Sequence, residues 1–272
     1  MKQENIKHPC YNENCIATAK IIHLPVAPKC NIKCNFCNMQ VSSCELEQPG
    51  ISSMILKPEN VVEYINSKDK NVEVVGIAGP GDALFNEETF DTLRILKNRT
   101  KYPTCICTNG LLLEEKLDKL INLDLDFLSV TINAMDYNVA EQIYSKVIYK
   151  NKIFTGIDGA KFLLDKQQRG LKLASENKNF KMKINTVYIP GVNDKEIIKI
   201  AKFGLKYKVD IMNIIPVIPN GKFKNVKVDK EKLEELRKEA GKYISQKKVC
   251  GRCRADACGY IKRKEMIKCQ NK

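Results

Sequence analysis

The sequence lacks several features that membrane-embedded, secreted or nucleic-acid-binding proteins need. Its 272 residues include no tryptophan and no run of about eighteen apolar residues, the length that crosses a bilayer. The first ten residues lack the apolar centre of a signal peptide. The net charge of +14 comes mostly from lysines interleaved with acids, without an arginine-rich stripe. We therefore expect a cytoplasmic protein that binds neither membrane nor nucleic acid.

Cysteine, by contrast, is abundant. The chain has 12 cysteines, and ten of them lie before residue 45 or after residue 249. Reducing conditions in the cytosol disfavour disulfides, and core-filling cysteines would be scattered along the buried segments. The clustering therefore favours metal ligation over packing.

Short β-branched segments alternate with longer amphipathic ones. The predicted strands are 20–27, 72–78, 104–107, 127–132, 183–189 and 210–215. The predicted helices are 58–67, 87–98, 112–121, 136–144, 157–177, 194–206 and about 230–246. Alternating strands and helices build a parallel sheet covered by helices, and six units are two short of a closed eightfold barrel. The predicted fold class is α/β, a partial, open parallel β/α barrel.

Three regions follow from this pattern. Residues 1–19 are a cysteine-bearing N-terminal extension, residues 20–220 are the partial barrel, and residues 221–272 are a C-terminal helix with a cysteine-bearing tail. Glycine, polar or cysteine residues follow each predicted strand, and chemistry in such folds sits at the carboxyl ends of strands. Ordinary turns would explain any one of these signals alone.

Cys30, Cys34 and Cys37 lie in one loop after the first predicted strand. Three thiolates can hold one cuboidal iron–sulfur cluster while leaving one iron open for another ligand. Zinc sites instead favour paired cysteines. With Phe36 directly before the third cysteine, the spacing resembles the signature of the radical S-adenosylmethionine (SAM) superfamily. That resemblance implies that a 4Fe-4S cluster on these catalytic cysteines cleaves SAM to a carbon radical.

The same resemblance implies a set of SAM-binding residues: Phe36, Gly79, Gly81, Asp82, Thr131, Asn133, Asn185 and Ile189. In the superfamily, the glycine-rich segment after the second strand binds the methionine amino group, and the residue at Ile189 backs the adenine. Ordinary hydrogen bonding at strand ends explains Thr131, Asn133 and Asn185 nearly as well.

A closer resemblance covers nearly the whole chain. The segments that carry it are 8–11, 23–28, 76–82, 155–157, 189–194 and 253–257. Together they resemble the NifB family of nitrogenase cofactor biosynthesis proteins. The resemblance implies that two 4Fe-4S clusters fuse around an inserted carbide into an 8Fe-9S-carbide precursor, with one SAM as methyl donor and one as radical source. It also implies cluster-donor and cofactor-acceptor proteins as partners.

Such a reaction needs further thiolates to hold the substrate clusters. The resemblance assigns this role to Cys10, Cys105, Cys250 and Cys253. A small buried hydrophobe would explain Cys105 alone equally well. The paired spacing of Cys250 and Cys253 in a lysine-rich tail has no packing explanation.

The chain also departs from the family. Two adjacent family histidines correspond to Ile16 and Ala17, and we hypothesise that Cys15 replaces the ligand. A further family cysteine corresponds to Ser43, with Cys44 beside it as a candidate. Cys107, Cys258 and Cys269 are additional to the family pattern. The chain is thus either a divergent member with altered ligands or a paralogue with another task.

Two other functions remain open. The C-terminal cysteines could hold a permanent auxiliary cluster in a radical SAM enzyme that acts on an organic or peptide substrate. Alternatively, the protein could be an iron–sulfur carrier without catalysis, although the predicted SAM pocket argues against that.

Overall fold

A computed structural model describes residues 7–42, 48–68, 71–177 and 180–260 of the chain. The strands are β1 (Lys20–His23), β2 (Ile32–Cys34), β3 (Gln40–Val41), β4 (Ile51–Ser52), β5 (Val72–Ile77), β6 (Thr104–Thr108), β7 (Phe127–Thr131), β8 (Tyr144–Tyr149), β9 (Lys152–Phe154), β10 (Lys181–Tyr188), β11 (Ile211–Pro216) and β12 (Cys258–Gly259). The α-helices are α1 (Val61–Lys68), α2 (Glu87–Arg99), α3 (Leu113–Asn122), α4 (Tyr137–Ile143), α5 (Gly156–Glu176), α6 (Glu196–Lys206) and α7 (Lys230–Ala240). Short 3-10 helices cover Glu13–Cys15, Pro58–Asn60, Ala83–Phe85 and Gly221–Phe223.

The main sheet has the order β11-β10-β7-β6-β5-β1-β12. Its strands from β1 to β11 are parallel and follow one another in chain order, with at least one helix in each connection; β12 alone runs antiparallel, beside β1. Because β11 and β12 are opposite edges, the sheet stays open. The predicted partial parallel barrel is confirmed.

Helix amphipathicity places the main core between the sheet and the helices. In α3, Leu113, Leu117 and Leu120 are buried at helical spacing, while charged residues occupy the other face. These leucines join the sheet side chains in one large buried cluster. The same arrangement leaves the concave side of the sheet free for polar side chains.

Several elements differ from the predicted ones, two of them at their C-terminal ends. β1 ends at His23, shortly before Pro25, which has no N–H for a ladder bond. α7 ends at Ala240, just before Gly241. An additional antiparallel sheet, β2-β8-β9, forms where the hairpin β8–β9 after α4 pairs with β2, and its β8–β9 turn uses Lys150 and Asn151 with φ of 48° and 63°. Two consecutive residues in the left-handed conformation form a tight hairpin turn, and such a turn usually contains glycine. Because this turn has none, the sequence did not reveal the hairpin.

The N-terminal extension packs against part of the sheet's concave side. The rings of His8 and Tyr11 lie 4.4 Å and 4.7 Å from that of Phe127. The Tyr11 hydroxyl donates to the Leu128 carbonyl at 2.9 Å. These contacts fix the backbone on both sides of Cys10.

The C-terminal segment spans the open side of the barrel. It starts beside β11, where Gln246 forms a bridge with Met212, and it reaches β1 through β12. On the way, Asp256 accepts hydrogen bonds from the Ser53 backbone and hydroxyl, both at 2.6 Å. The segment therefore carries Cys250 and Cys253 from one sheet edge to the other. No helix in the described ranges is long and apolar enough to span a bilayer.

Candidate functional site

A cavity of about 340 Å³ lies on the concave side of the sheet, beneath the C-terminal segment. Eight cysteines line it: Cys10, Cys30, Cys34, Cys37, Cys105, Cys107, Cys250 and Cys253. They come from the N-terminal extension, the loop after β1, strand β6 and the C-terminal segment. Residues far apart in the chain thus share one site.

The loop after β1 positions the cysteine triplet. The Asn86 side chain binds Lys29 twice, accepting from its N–H at 3.1 Å and donating to its carbonyl at 2.8 Å. Cys34 then lies in β2, paired to β8, and the Cys37 N–H donates to the Cys34 carbonyl at 3.1 Å. The start of the loop is therefore held by a side chain and its end by backbone hydrogen bonds.

Burial sets the protonation of the triplet. It raises the pKa of all three thiols, and the negative charge of Asp82 adds to the rise that takes the pKa of Cys30 to about 12. At neutral pH these groups are thiols, and iron binding must displace their protons. The Asn109 amide donates to the Cys30 sulfur at 3.8 Å, an interaction that stabilises a thiolate.

The donor set fits an iron–sulfur cluster better than a single metal ion. Among the described residues, no three cysteine, histidine or acidic side chains converge as a single ion requires. A cuboidal cluster binds each thiolate at a different iron, so its ligands need not converge on one point. Three closely spaced soft sulfur donors are the ligands that such a cluster takes.

Asp82 faces the cavity but is fully engaged within the protein. Its carboxylate accepts from the Leu84 N–H at 3.0 Å, the Thr108 hydroxyl at 2.9 Å and the Asn109 N–H at 2.6 Å. Burial is the largest influence on its pKa and raises it, while these hydrogen bonds oppose the rise. Asp82 therefore joins the loop after β5 to the loop after β6.

Gly81 brings the loop after β5 against the triplet loop. Its N–H donates to the Ala27 carbonyl at 2.7 Å, and a Cβ at this position would lie 2.1 Å from the Lys29 carbonyl oxygen. Only glycine permits this approach. Gly79 has φ of +127°, which glycine also favours.

The predicted SAM-binding residues divide into two groups. Five of them line the cavity: Phe36, Gly81, Asp82, Thr131 and Asn185. Three lie behind the lining: Gly79, Asn133 and Ile189.

The second group supports the first from behind. Asn133 accepts from the Val187 N–H at 2.8 Å, and fully buried Ile189 belongs to the core cluster on which Phe36 packs. The SAM-binding roles of both groups stay predictions.

The other five thiols, those of Cys10, Cys105, Cys107, Cys250 and Cys253, form a second part of the cavity. Burial raises the pKa of Cys105, Cys107 and Cys253, the last to about 12. Two amides link the walls of this second part. Asn185 donates to the Cys107 sulfur at 3.5 Å, and Asn213 donates to the Cys250 sulfur at 3.3 Å. Asn213 also donates to the Asn185 oxygen at 3.3 Å, which connects the two thiols across β6, β10 and β11.

Sequence reasoning did not give Cys107 a role. Cys105 and Cys107 are two residues apart in β6, so both side chains face the cavity; this period-two spacing was the available signal. Lys183 and His8 also line the cavity and were not singled out.

Two further cysteines of the described ranges, Cys15 and Cys258, lie outside the lining of this cavity. Cys15 is buried outside its lining, at the end of the first 3-10 helix, and Cys258 is exposed in β12. Cys44, together with Cys269, lies outside the described residues.

Solved structures share this fold. The Streptococcus suis protein SuiB, bound to its precursor peptide SuiA, superposes with a TM-score of 0.61 at 16% identity, over 84% of this chain and 49% of SuiB. The protein anSMEcpe with bound AdoMet gives a TM-score of 0.57 at 16% identity, over 83% of this chain and 60% of that one. At these identities the likeness concerns the fold alone.

Sequence comparison identifies the family. The Radical SAM superfamily model matches residues 24–204. The FeMo cofactor biosynthesis protein NifB of Methanocaldococcus infernus is 47% identical over 96% of this chain and 88% of its own length; that of Methanocaldococcus jannaschii is 44% identical over the same shares. The Klebsiella pneumoniae protein is 34% identical over 93% of this chain and 57% of its own length. The chain therefore belongs to the radical SAM superfamily, whose enzymes use a 4Fe-4S cluster and SAM, and within it to the NifB family.

Proposed function

We propose that the protein inserts a carbide and fuses two 4Fe-4S substrate clusters into the 8Fe-9S-carbide precursor of the nitrogenase cofactor. The observation that carries the proposal is the eight-cysteine lining of one cavity. Three of these thiols form the triplet, and five others lie where substrate clusters would need ligands. An enzyme that acts on an organic molecule does not need so many thiols around its substrate.

The triplet holds the catalytic cluster in this proposal. Cys30, Cys34 and Cys37 would hold this cluster, which would supply the electron for the reductive cleavage of SAM. Phe36, Thr131 and Asn185 contact the SAM molecule, while Gly81 and Asp82 hold the loops that enclose it.

The second part of the cavity holds the substrates. Cys10, Cys105 and Cys107 lie on its N-terminal and β6 walls, and Cys250 and Cys253 lie on the C-terminal segment. The two substrate clusters contribute all the iron, and an inorganic sulfur donor must add the remaining sulfur. The overall reaction is of the lyase type. In this proposal the protein acts in the cytoplasm, where it receives substrate clusters from a donor protein and passes its product to a cofactor-acceptor protein.

Product analysis tests this proposal. Reduced, reconstituted protein incubated with SAM should form both 5'-deoxyadenosine and S-adenosylhomocysteine, with iron for roughly three clusters. Deoxyadenosine without S-adenosylhomocysteine would overturn carbide insertion and favour an auxiliary-cluster enzyme with an organic or peptide substrate. Absence of both products would leave an iron–sulfur carrier.

A further inference from the structure

A buried lysine lies among the thiols of the second part of the cavity. Lys183 is in β10, beside Ser129 of β7, and its side chain is 6% exposed. Asn185 lies two residues further along the same strand, so both side chains face the cavity. The sulfur atoms of Cys10, Cys105, Cys107 and Cys250 are close enough to interact electrostatically with the Lys183 ammonium.

This ammonium has no partner of opposite charge within the described ranges. The ammonium lies over the ring of Tyr11, whose centroid is 5.2 Å away. A cation–π contact of this kind stabilises the charge only weakly. Burial of an unpaired charge costs considerably more, so lysine is rarely retained in such a position without a compensating ligand.

The rest of the lining does not compensate the positive charge of Lys183. Asp82 is the one carboxylate among the described lining residues, and its oxygens are already bound by Leu84, Thr108 and Asn109. Cations are more numerous there: Lys33, Lys183, Lys247 and Arg252. The Lys247 ammonium donates to the Pro9 carbonyl at 2.7 Å. The cavity therefore favours an anionic occupant.

A thiolate-bound iron–sulfur cluster is such an occupant. The sulfides and cysteine thiolates together outweigh the positive charge of the iron, so the bound cluster is an anion with sulfur acceptors on its surface. A lysine ammonium offers three donors and one full charge. It thus complements a cluster held by the surrounding cysteines.

We propose that Lys183 is the charge-recognition residue of the substrate site, where its ammonium binds an anionic iron–sulfur cluster held by the neighbouring thiols. This rests on the proposed function insofar as the cluster is taken as substrate. The residue positions and stabilises the cluster and takes no part in SAM cleavage. Loss of the ammonium should therefore weaken cluster retention and shift the cluster's reduction potential to more negative values, because reduction adds negative charge.

The test compares Lys183→Met, which keeps the length of the side chain but removes its charge, with Lys183→Arg, which restores the charge. Lys181→Met is the matched control, because Lys181 is on the same strand but outside the cavity lining. All three are reconstituted as the full chain. The measurements are iron content, potentiometric titration followed by electron paramagnetic resonance, and SAM-dependent deoxyadenosine formation.

We expect Lys183→Met to lose iron or to show a more negative potential for the clusters other than the SAM-binding one. Deoxyadenosine formation should persist, Lys183→Arg should restore both properties, and Lys181→Met should match the unchanged protein. Wild-type iron content and potentials in Lys183→Met would overturn the proposal. So would parallel loss of deoxyadenosine formation and iron in both position-183 variants, since that result would make the residue a support of the fold.

This outcome is separable from that of the proposed function. Iron retention and potentials report on the bound clusters whichever product forms. Absence of S-adenosylhomocysteine would overturn carbide insertion yet leave the Lys183 measurement interpretable.

Discussion

The position of a cysteine along β6 decides whether its thiol faces the cavity. Cys105 and Cys107 both face the cavity because strand side chains alternate, whereas Cys15 is buried outside the lining. The Asn185 amide donates to the Cys107 sulfur and would stabilise its thiolate form. Cys107 is therefore a better candidate ligand than Cys15.

We expect Cys107→Ser to lower the iron content of the reconstituted protein while deoxyadenosine formation continues. Serine keeps nearly the same shape but is a poor iron ligand in place of a thiolate. Cys15→Ser should leave the iron content unchanged, and Cys258→Ser, at an exposed position, is the matched control. A colorimetric assay of bound iron measures the effect in all three variants. A loss of iron in Cys15→Ser alone would reverse the two assignments.

At the scale of elements, the two loops after β1 and β5 depend on mutual close packing. Gly81 lies against Lys29, the residue before the first cysteine of the triplet. This packing determines where the triplet loop begins. A substitution that disrupts the packing should therefore also impair cluster binding by the triplet.

Gly81→Ala should destabilise the protein by about 1–3 kcal/mol, the range typical of overpacking, and should lower deoxyadenosine formation. The new Cβ would overlap the Lys29 carbonyl oxygen, which must move. Urea unfolding of the apo-protein and product quantification measure the two effects. Gly191→Ala is the control, because its Cβ would meet no atom within 4 Å and would cost backbone strain from φ of +78°. Equal deoxyadenosine formation in Gly81→Ala and the unchanged protein would contradict this prediction.

The C-terminal segment is a second element-scale feature. Burial opposes ionisation of Asp256 most strongly, but hydrogen bonds from Arg254 and Ser53 outweigh it and hold the pKa well below the ordinary carboxyl range. A carboxyl whose folded pKa is lowered stabilises the fold above its ordinary pKa of about 4. That contribution is lost as pH falls from there through the folded pKa.

Asp256→Asn should therefore lower the stability of the apo-protein at neutral pH by about 1 kcal/mol, a value reduced for solvent screening. The difference from the unchanged protein should shrink below about pH 4 as Asp256 takes up its proton. Urea titrations from neutral to acidic pH measure this difference in stability. Hydrogen exchange of residues 248–258 gives a local readout. A pH-independent difference would mean that the carboxylate charge is not responsible.

At the scale of the whole molecule, the site joins the two ends of the described chain. Cys10 and Cys253 line one cavity although the entire barrel separates them in sequence. A bound cluster would cross-link these segments through its ligands. Metal binding that occurs only in the folded state adds its free energy to folding.

Cluster loading should accordingly raise the melting temperature and protect both terminal segments from exchange. Anaerobic thermal melts and hydrogen exchange of the apo and reconstituted forms measure these effects. Reconstituted Cys105→Ser, which keeps the triplet, should show a smaller rise. The same melting temperature in the apo and loaded forms would show that the clusters do not link the segments.

Local patterns were sufficient for much of this protein. Alternating β-branched and amphipathic segments determined the partial barrel, because helices and strands bury their apolar faces at fixed periods. The cysteine spacing determined the triplet, because its three cysteines lie close together in the sequence. The β2-β8-β9 sheet escaped prediction, since its short strands and non-glycine turn carry a weak signal.

Only the tertiary structure decided which remaining residues share the site. Proximity of Cys10, Cys107 and Cys250 depends on how the terminal segments cross the sheet, and no local spacing encodes that crossing. Lys183 shows the same limit, because its sequence neighbours reveal neither its burial nor the scarcity of carboxylates among the described residues that line the cavity. The sequence thus determined the scaffold and the cysteine triplet, while long-range packing decided the charge of the cavity and which further thiols line it.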